Sequence, residues 1–365
     1  MRFFPYLIVL FLCFNSPVKA QERDPVKLAV VGLTHSHVHW ILGRENKGDI
    51  EIVGVVEPNR GLAERFLGQH GLSMNLWHAD MASLFASTTP EGVTAFGSIF
   101  EHLEVVQVCA PKGVHVMVEK PLAVNREHAK EMASLAQRHG IHLLTNYETT
   151  WYATNHDVHR QVHQEKAIGA LKRVVINDGH EGPKEIGVNK EFLEWLTDPE
   201  QNGGGAVIDF GCYGANLMTW LMNGEKPSSV TAELKQIKPD VYPEVDDDAT
   251  ILLQYPETKG VIQASWNWPF SRKDMEVYGA TGYLIAKNSQ EIIARLPGAK
   301  EESKTKIEKR PYPYDDPFSF FAAVIREDVE VEEFDLSSLA NNLIVVEILD
   351  AAIRSAETGK RVYLE

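Results

Sequence analysis

Between residue 26 and about residue 146 the chain alternates strand-like apolar runs with helix-like stretches, and few folds accept that pattern. "VKLAVVG" is apolar almost throughout, which marks a strand buried on both faces. "IEIVGVVEPN" repeats the run one helix-length later, and "GVTAFGS", "HVMVEKP" and "IHLLTNY" supply three more strands. Over "NREHAKEMASLAQRHG", Asn125 is placed to cap the start of a helix and Gly140 to cap its end. Strands and helices in alternation, with short connections, give a parallel sheet covered by helices. From about residue 150 the pattern changes. "LKRVVIND", "SSVTAELKQI", "DATILLQYP", "GVIQASWNW" and "KDMEVYGATGYLIA" alternate apolar and polar positions, as an antiparallel sheet with one open face does. The expected architecture is a Rossmann-like α/β domain over residues 26–148 and an α+β domain with a mostly antiparallel, open-faced sheet over 149–345. A closing helix and strand follow over 335–365.

The first twenty residues stand apart. "MRFFPYLIVLFLCFNSPVKA" has an early Arg2, a short apolar core and small residues before Gln21, the build of a secretory signal. Its apolar run is shorter than the roughly 20 residues a membrane span needs. The expectation is export across an inner membrane to the periplasm, with no membrane attachment afterwards. The formal net charge is −15, and −17 once Arg2 and Lys19 leave with residues 1–20. Such acidity excludes nucleic acid as a natural partner. Of the 3 cysteines, Cys13 lies in the signal, and Cys109 and Cys212 are expected as buried thiols.

The densest chemistry follows the first strand, in "GLTHSHVHWIL". A nucleotide-binding turn needs a glycine after the strand, exposed backbone N–H groups and an acid at the end of the next strand. Gly32 supplies the first, and Leu33, Thr34, His35, Ser36 and His37 the turn. Glu57, 25 residues on, is spaced to accept a ribose hydroxyl. A carboxylate there favours NAD over NADP, although Arg60 leaves NADP open. Thr34 and His37 stand where further glycines would allow close phosphate approach. The competing reading takes His35, His37 and His39 as metal ligands of a hydrolase. Hydrolases that open this way are usually closed barrels of eight strand–helix units. About five such units are legible here, so no metal is expected.

Later segments add candidates. "VEKP" ends a strand with Glu119 and Lys120, facing the crevice where parallel sheets bind ligands. In "GGGAVIDFGCYGANLMTWL", Asp209 and Tyr213 are four apart and would share one helix face. A Tyr titrates near pH 10, so acting as a base requires a neighbouring cation such as Lys120. Ser98 and His102 follow the third expected strand. Tyr147 and Trp151 lie where the domains meet, and His180 lies in a loop. Trp266 and Trp268 stack on a sugar or cover the sheet.

The Glu-Lys-Pro at 119–121, the glycine-led block at 203–221 and "VVEILDAAIRSAETGKRV" at 345–362 together resemble the glucose-fructose oxidoreductase / inositol dehydrogenase / MocA (Gfo/Idh/MocA) family. "KAIGALKRV" at 166–174 is similar to that family's entry into its second domain. The resemblance covers residues 26–365. It implies an NAD-dependent oxidoreductase moving hydride between nicotinamide and a carbinol of a sugar, glycoside or polyol. It gives Lys120, Asp209 and Tyr213 the proton chemistry, with Tyr213 where many members carry His. Gly32–His37, Glu57, Ser98, His102, Glu119 and Lys120 would hold the cofactor. Tyr147, Trp151, His180, Asp209, Tyr213, Trp266 and Trp268 would line the substrate. Family members commonly pair through the open sheet, so a homodimer or larger homo-oligomer is expected. Free NAD is scarce outside the cytoplasm, which implies a tightly held cofactor. A member that binds sugar or nucleotide without turnover is the alternative.

Overall fold

The computed structural model describes residues 23–364, so the export segment expected at 1–20 lies outside the described residues. Six parallel strands form the first sheet: β1 (Val26–Val31), β2 (Ile50–Val56), β3 (Trp77–His78), β4 (Gly92–Ala95), β5 (His115–Glu119) and β6 (Leu143–Asn146). Their spatial order is β3-β2-β1-β4-β5-β6. The chain builds outward from β1 to β3, then returns to the other side of β1 for β4. That reversal opens a crevice beyond the carboxyl ends of β1 and β4, the usual ligand position in such sheets. β3 is only two residues long, too short for apolar periodicity to reveal.

The second sheet has nine strands: β7 (Leu171–Gly179), β8 (Ser229–Lys235), β9 (Asp248–Gln254), β10 (Lys259–Ser265), β11 (Arg272–Gly279), β12 (Tyr283–Ala286), β13 (Glu291–Arg295), β14 (Ser303–Lys306) and β15 (Val362–Tyr363). The order is β14-β13-β12-β11-β7-β10-β9-β8-β15, antiparallel except for β7 beside β10. One face packs into the core through Val174, Ile176, Ile251, Leu253 and Ile262. The other carries partly exposed Val175, Val261, Ile285 and Ile293 and exposed Leu252.

Asn125 and Gly140 cap the helix Arg126–His139 as the sequence indicates. The Asn125 side chain accepts from His128 N, and Gly140 is left-handed at φ 65°. The division between domains is less simple. The helix Pro317–Ile325, inside the span expected for the second domain, packs Phe318 and Phe321 against Val26, Leu28 and Val55 of the first sheet. The closing helix Leu339–Thr358 puts Val346 in the first domain's core and Val345, Ile348 and Leu349 in the second's. Among the described residues no helix is long and apolar enough to cross a membrane. Cys109 and Cys212 are buried free thiols.

Candidate active site

β5 delivers two adjacent residues to opposite sides of the crevice. Glu119 turns back to the first domain: its Oε2 lies 2.9 Å from His37 Nδ1 and its Oε1 accepts from Asn146 Nδ2 at 2.7 Å. Trp151 Nε1–H in turn donates to Asn146 Oδ1 at 3.0 Å. Lys120 reaches into the second domain. Its Nζ donates to Asp209 Oδ1 at 2.5 Å and to the Asp209 carbonyl at 3.0 Å. Asp209 Oδ2 accepts from Trp266 Nε1 at 3.0 Å.

Asp209 is placed by the glycines before it. A Cβ on Gly205 would fall 1.7 Å from the Asp246 carbonyl oxygen, so only glycine lets these two backbones meet. The Asp246 carboxylate then accepts from Gly205 N and Val207 N, capping the one-turn helix Ala206–Asp209. The helix breaks at Phe210 and restarts as Gly211–Leu221. Asp209 and Tyr213 therefore do not share one continuous helix face. They meet at Lys120 instead, whose Nζ lies 5.2 Å from the Tyr213 ring centroid.

Charge states follow from this packing. Burial works against the Lys120 ammonium, but the Asp209 charge and hydrogen bond outweigh it and hold it protonated above the ordinary lysine range. Asp209 is also buried, and Lys120 holds its carboxylate below the ordinary value. Tyr213 behaves contrary to the expectation. Burial, with Glu148 and Asp178 nearby, pushes its phenol well above 10, and the two lysines sit over its ring. At neutral pH the Tyr213 phenol therefore carries its proton.

Three residues of the site escaped the sequence reading: Lys273, Glu148 and Asp178. Lys273 Nζ lies 4.3 Å from the Tyr213 centroid, donates to Glu148 Oε2 at 2.7 Å and stands 3.9 Å from Asp178 Oδ1. Burial raises the Asp178 carboxyl well above its usual range, and neither oxygen finds a hydrogen-bond partner among the described residues. Burial acts on Glu148 as well, but Lys273 overrides it and keeps that group ionised. One cleft thus holds two carboxyls whose surroundings push them in opposite directions, Asp178 up and Glu148 down, the pattern that separates acid from base roles. Lys273 is opposite Asp178 across the β11–β7 pair. That register is a tertiary fact, which no local signal in "SRKDMEV" announces.

Two connected spaces adjoin these groups. A cleft of about 180 Å³ is lined by His35, Ser36, His37, Lys120, His180 and Tyr213, with Asp209 and Lys273. It shares His180, Phe210 and Lys273 with a larger opening of about 570 Å³, lined also by Glu148, Tyr152, Asp178, Arg272 and Asn288. Burial lowers the pKa of His180 and of His35, and brings that of His37 to about 3, so all three rings are neutral at pH 7.

The dinucleotide turn fits its expected ligand at one end. A cavity of about 150 Å³ lies between Gly32, Val56, Pro58, Ala79, Ala95 and His102, apolar enough for a base. Gly32 has φ +78°, and a Cβ there would fall 2.5 Å from Gly97 N. Glu57 is buried beside the turn and accepts from Leu33 N and Asn59 N. Arg60 is paired with Glu64 and lies over Trp77. The other end is covered. Trp195 Nε1–H donates to Thr34 Oγ1, and Phe192 and Trp195 pack on the His35 ring at 4.7 and 5.8 Å.

Several expected site residues serve as supports. Tyr147 is fully buried, edge-on to Tyr213 at 5.4 Å, and does not line the cleft. Trp151 is half-buried and orients Asn146, and Trp266 is fully buried against Asp209, so Trp266 cannot stack on a sugar. Trp268 lies beyond the end of β10 and packs over Gly179. Ser98 Oγ is spent on Gln201. His102 is buried, with Nδ1 3.2 Å from the Leu122 carbonyl. The three histidines of the opening motif do not converge: His39 Nδ1 turns away to His70 Nε2 at 2.8 Å. A ligand set of His35, His37 and His39 is therefore ruled out by geometry.

Comparison with known proteins agrees with this architecture. Residues 26–147 match the oxidoreductase family model with an NAD-binding Rossmann fold, and residues 156–285 match the GFO/IDH/MocA C-terminal domain. The trans-1,2-dihydrobenzene-1,2-diol dehydrogenase of Xenopus tropicalis is 25% identical over 261 residues, 69% of this chain and 74% of that one. The 1,5-anhydro-D-fructose reductase of Ensifer adhaerens is 20% identical over 355 residues, 92% of this chain and 98% of its own. A crystal structure of an inositol dehydrogenase homologue from Azotobacter vinelandii, complexed with NAD+, superposes with a TM-score of 0.80 at 16% identity, covering 93% of this chain and 98% of that one. With both domains matched in order, the chain belongs to the Gfo/Idh/MocA oxidoreductase family, and its first domain is that family's NAD-binding Rossmann fold.

Proposed function

We propose that the chain is an exported, NAD-dependent enzyme that interconverts a carbinol and a carbonyl on a sugar, glycoside or polyol. The observation that carries this reading is the buried Lys120–Asp209 pair beside Tyr213, on the floor of a cleft at the carboxyl edge of the NAD-binding sheet. NAD, when bound, supplies the hydride acceptor or donor. Gly32, Leu33 and Glu57 would hold its adenosine half. Lys120 Nζ orients the substrate oxygen, and Asp209 fixes Lys120. Tyr213 and Lys120 are both proton donors at neutral pH, which suits the carbonyl-reducing direction. The larger opening, with Asp178, Arg272 and Asn288, has polar groups for the hydroxyls of a second ring. The relatives named for a diol and an anhydro-sugar support the same substrate class. Export rests on the signal-like residues 1–20, and with it goes tight cofactor retention. Pairing of two copies through the open sheet face belongs to the same proposal, supported by its exposed apolar residues.

The test is nicotinamide absorbance across a panel of sugars, glycosides and polyols. Lys120→Ala and Tyr213→Phe should each slow turnover at least about tenfold, near 1.4 kcal/mol of transition-state stabilisation. If neither does, the assigned roles are wrong. The covered turn favours a second reading, a member that binds its ligand without hydride turnover. Trp195→Ala uncovers Thr34 and His35 and should tighten NAD binding, read by calorimetry. Unchanged affinity, with no turnover on the panel, would favour the second reading.

A further inference from the structure

We propose that His35, His37 and Glu119 form a binding site for a divalent transition-metal cation such as zinc, manganese or ferrous iron. His35 Nε2, His37 Nδ1 and Glu119 Oε2 all lie within 4.8 Å of one another. Glu119 Oε2 is 2.9 Å from the His37 nitrogen and 4.0 Å from the His35 nitrogen. Ligands at about 2.0–2.2 Å from one ion stand roughly 3–4 Å apart, so the set closes on a cation with small side-chain shifts. Two imidazoles and one carboxylate are a donor set such ions favour.

Independent observations point to a ligand at this spot. His35 is 2% exposed, and its Nε2 has no hydrogen-bond partner among the described residues. A buried polar atom with nothing to bond is uncommon and calls for an occupant. The surrounding groups also hold the three side chains in place, as supporting groups do in metal sites. Trp151 orients Asn146, and Asn146 orients Glu119. His37 stacks on Trp40 at 3.7 Å, and His35 is wedged by Phe192 and Trp195.

Protons mark the places an ion would take. His37 Nδ1 and Glu119 Oε2 stand at hydrogen-bond distance, 2.9 Å, and a cation bound between them would displace the proton of that bond. His35 Nδ1 accepts from His37 N at 3.1 Å. Ligation through Nε2 moves the ring proton to Nδ1 and gives up that one contact. Three protein ligands leave a coordination position open. It faces the 180 Å³ cleft, where Lys120, His180 and Tyr213 would meet a water or a substrate oxygen bound to the ion.

The site goes beyond the dehydrogenase reading and is tested without NAD or sugar, so either can fail alone. The full mature chain is stripped with chelator and titrated with Zn2+, Mn2+ or Co2+. Bound metal is counted by atomic emission, and cobalt is followed by its visible d–d bands. Near one equivalent is expected. Affinity should fall at least tenfold in His37→Ala and Glu119→Gln and stay at the wild-type level in His39→Ala. If His37→Ala does not fold, thermal unfolding replaces it: metal should raise the midpoint of the wild type and not that of Glu119→Gln. Substoichiometric metal overturns the proposal. So does binding that His39→Ala weakens as much as His37→Ala, or that Glu119→Gln leaves intact.

Discussion

Asp209→Ala should lower the unfolding free energy by about 3–5 kcal/mol, the usual cost of leaving one member of a buried ion pair without its partner. Both side chains are 6–7% exposed, so water cannot take over the solvation of Lys120. Trp266 Nε1 loses its acceptor in the same step. The pH dependence carries a sign at each end. Asp209 is held below its ordinary 3.8, so its contribution is complete above that value and is lost as pH falls through the folded pKa. Lys120 is held above its ordinary 10.5, so its contribution is complete below that value and is lost as pH rises through the folded pKa. Urea unfolding should therefore show a wild-type-to-variant gap that is flat between about pH 5 and 9 and narrows outside that window. A gap under about 1 kcal/mol at pH 7 would mean that the pair is solvated and exchanges with water.

Gly205→Ala should cost about 4 kcal/mol or more, or prevent folding altogether. The added Cβ would stand 1.7 Å from a carbonyl oxygen, and both segments at that contact are backbone. Relief requires moving Asp246, whose carboxylate caps the helix carrying Asp209. Gly68→Ala is the natural comparison. It lies in the helix Arg60–Gln69 with nothing within 4 Å of its Cβ position, and should gain up to about 1 kcal/mol. Equal effects of the two substitutions, measured by urea unfolding, would refute the close-approach account.

The first sheet was legible because burial on both faces writes continuous apolar runs, as in β1 and β5. The two-residue β3 leaves no such trace. Lys120 and Asp209 were legible through the motifs that hold them. Tyr213 and its neighbouring cation were legible, but the upward direction of its pKa shift was not, because burial and neighbouring carboxylates act through space. Lys273 and Asp178 were missed for a related reason: the β11–β7 register makes them a pair, and neither sits in a motif. Trp266 was the opposite case. An aromatic at a strand end looks like a stacking platform until its indole N–H is seen bonded to Asp209.

The closing helix has a mechanical consequence. With Val346 in one core and Ile348 and Leu349 in the other, it works as a strut between the two sheets. Rotation of one domain against the other would tear side chains out of both cores at once. Any change in the width of the cleft is therefore opposed by packing on both sides of this one helix. The Gly32–His37 turn is covered from the second domain by the short helix Lys190–Leu196, whose Phe192 and Trp195 lie across it. A ligand that takes this turn has to displace that seven-residue segment or share the turn with it.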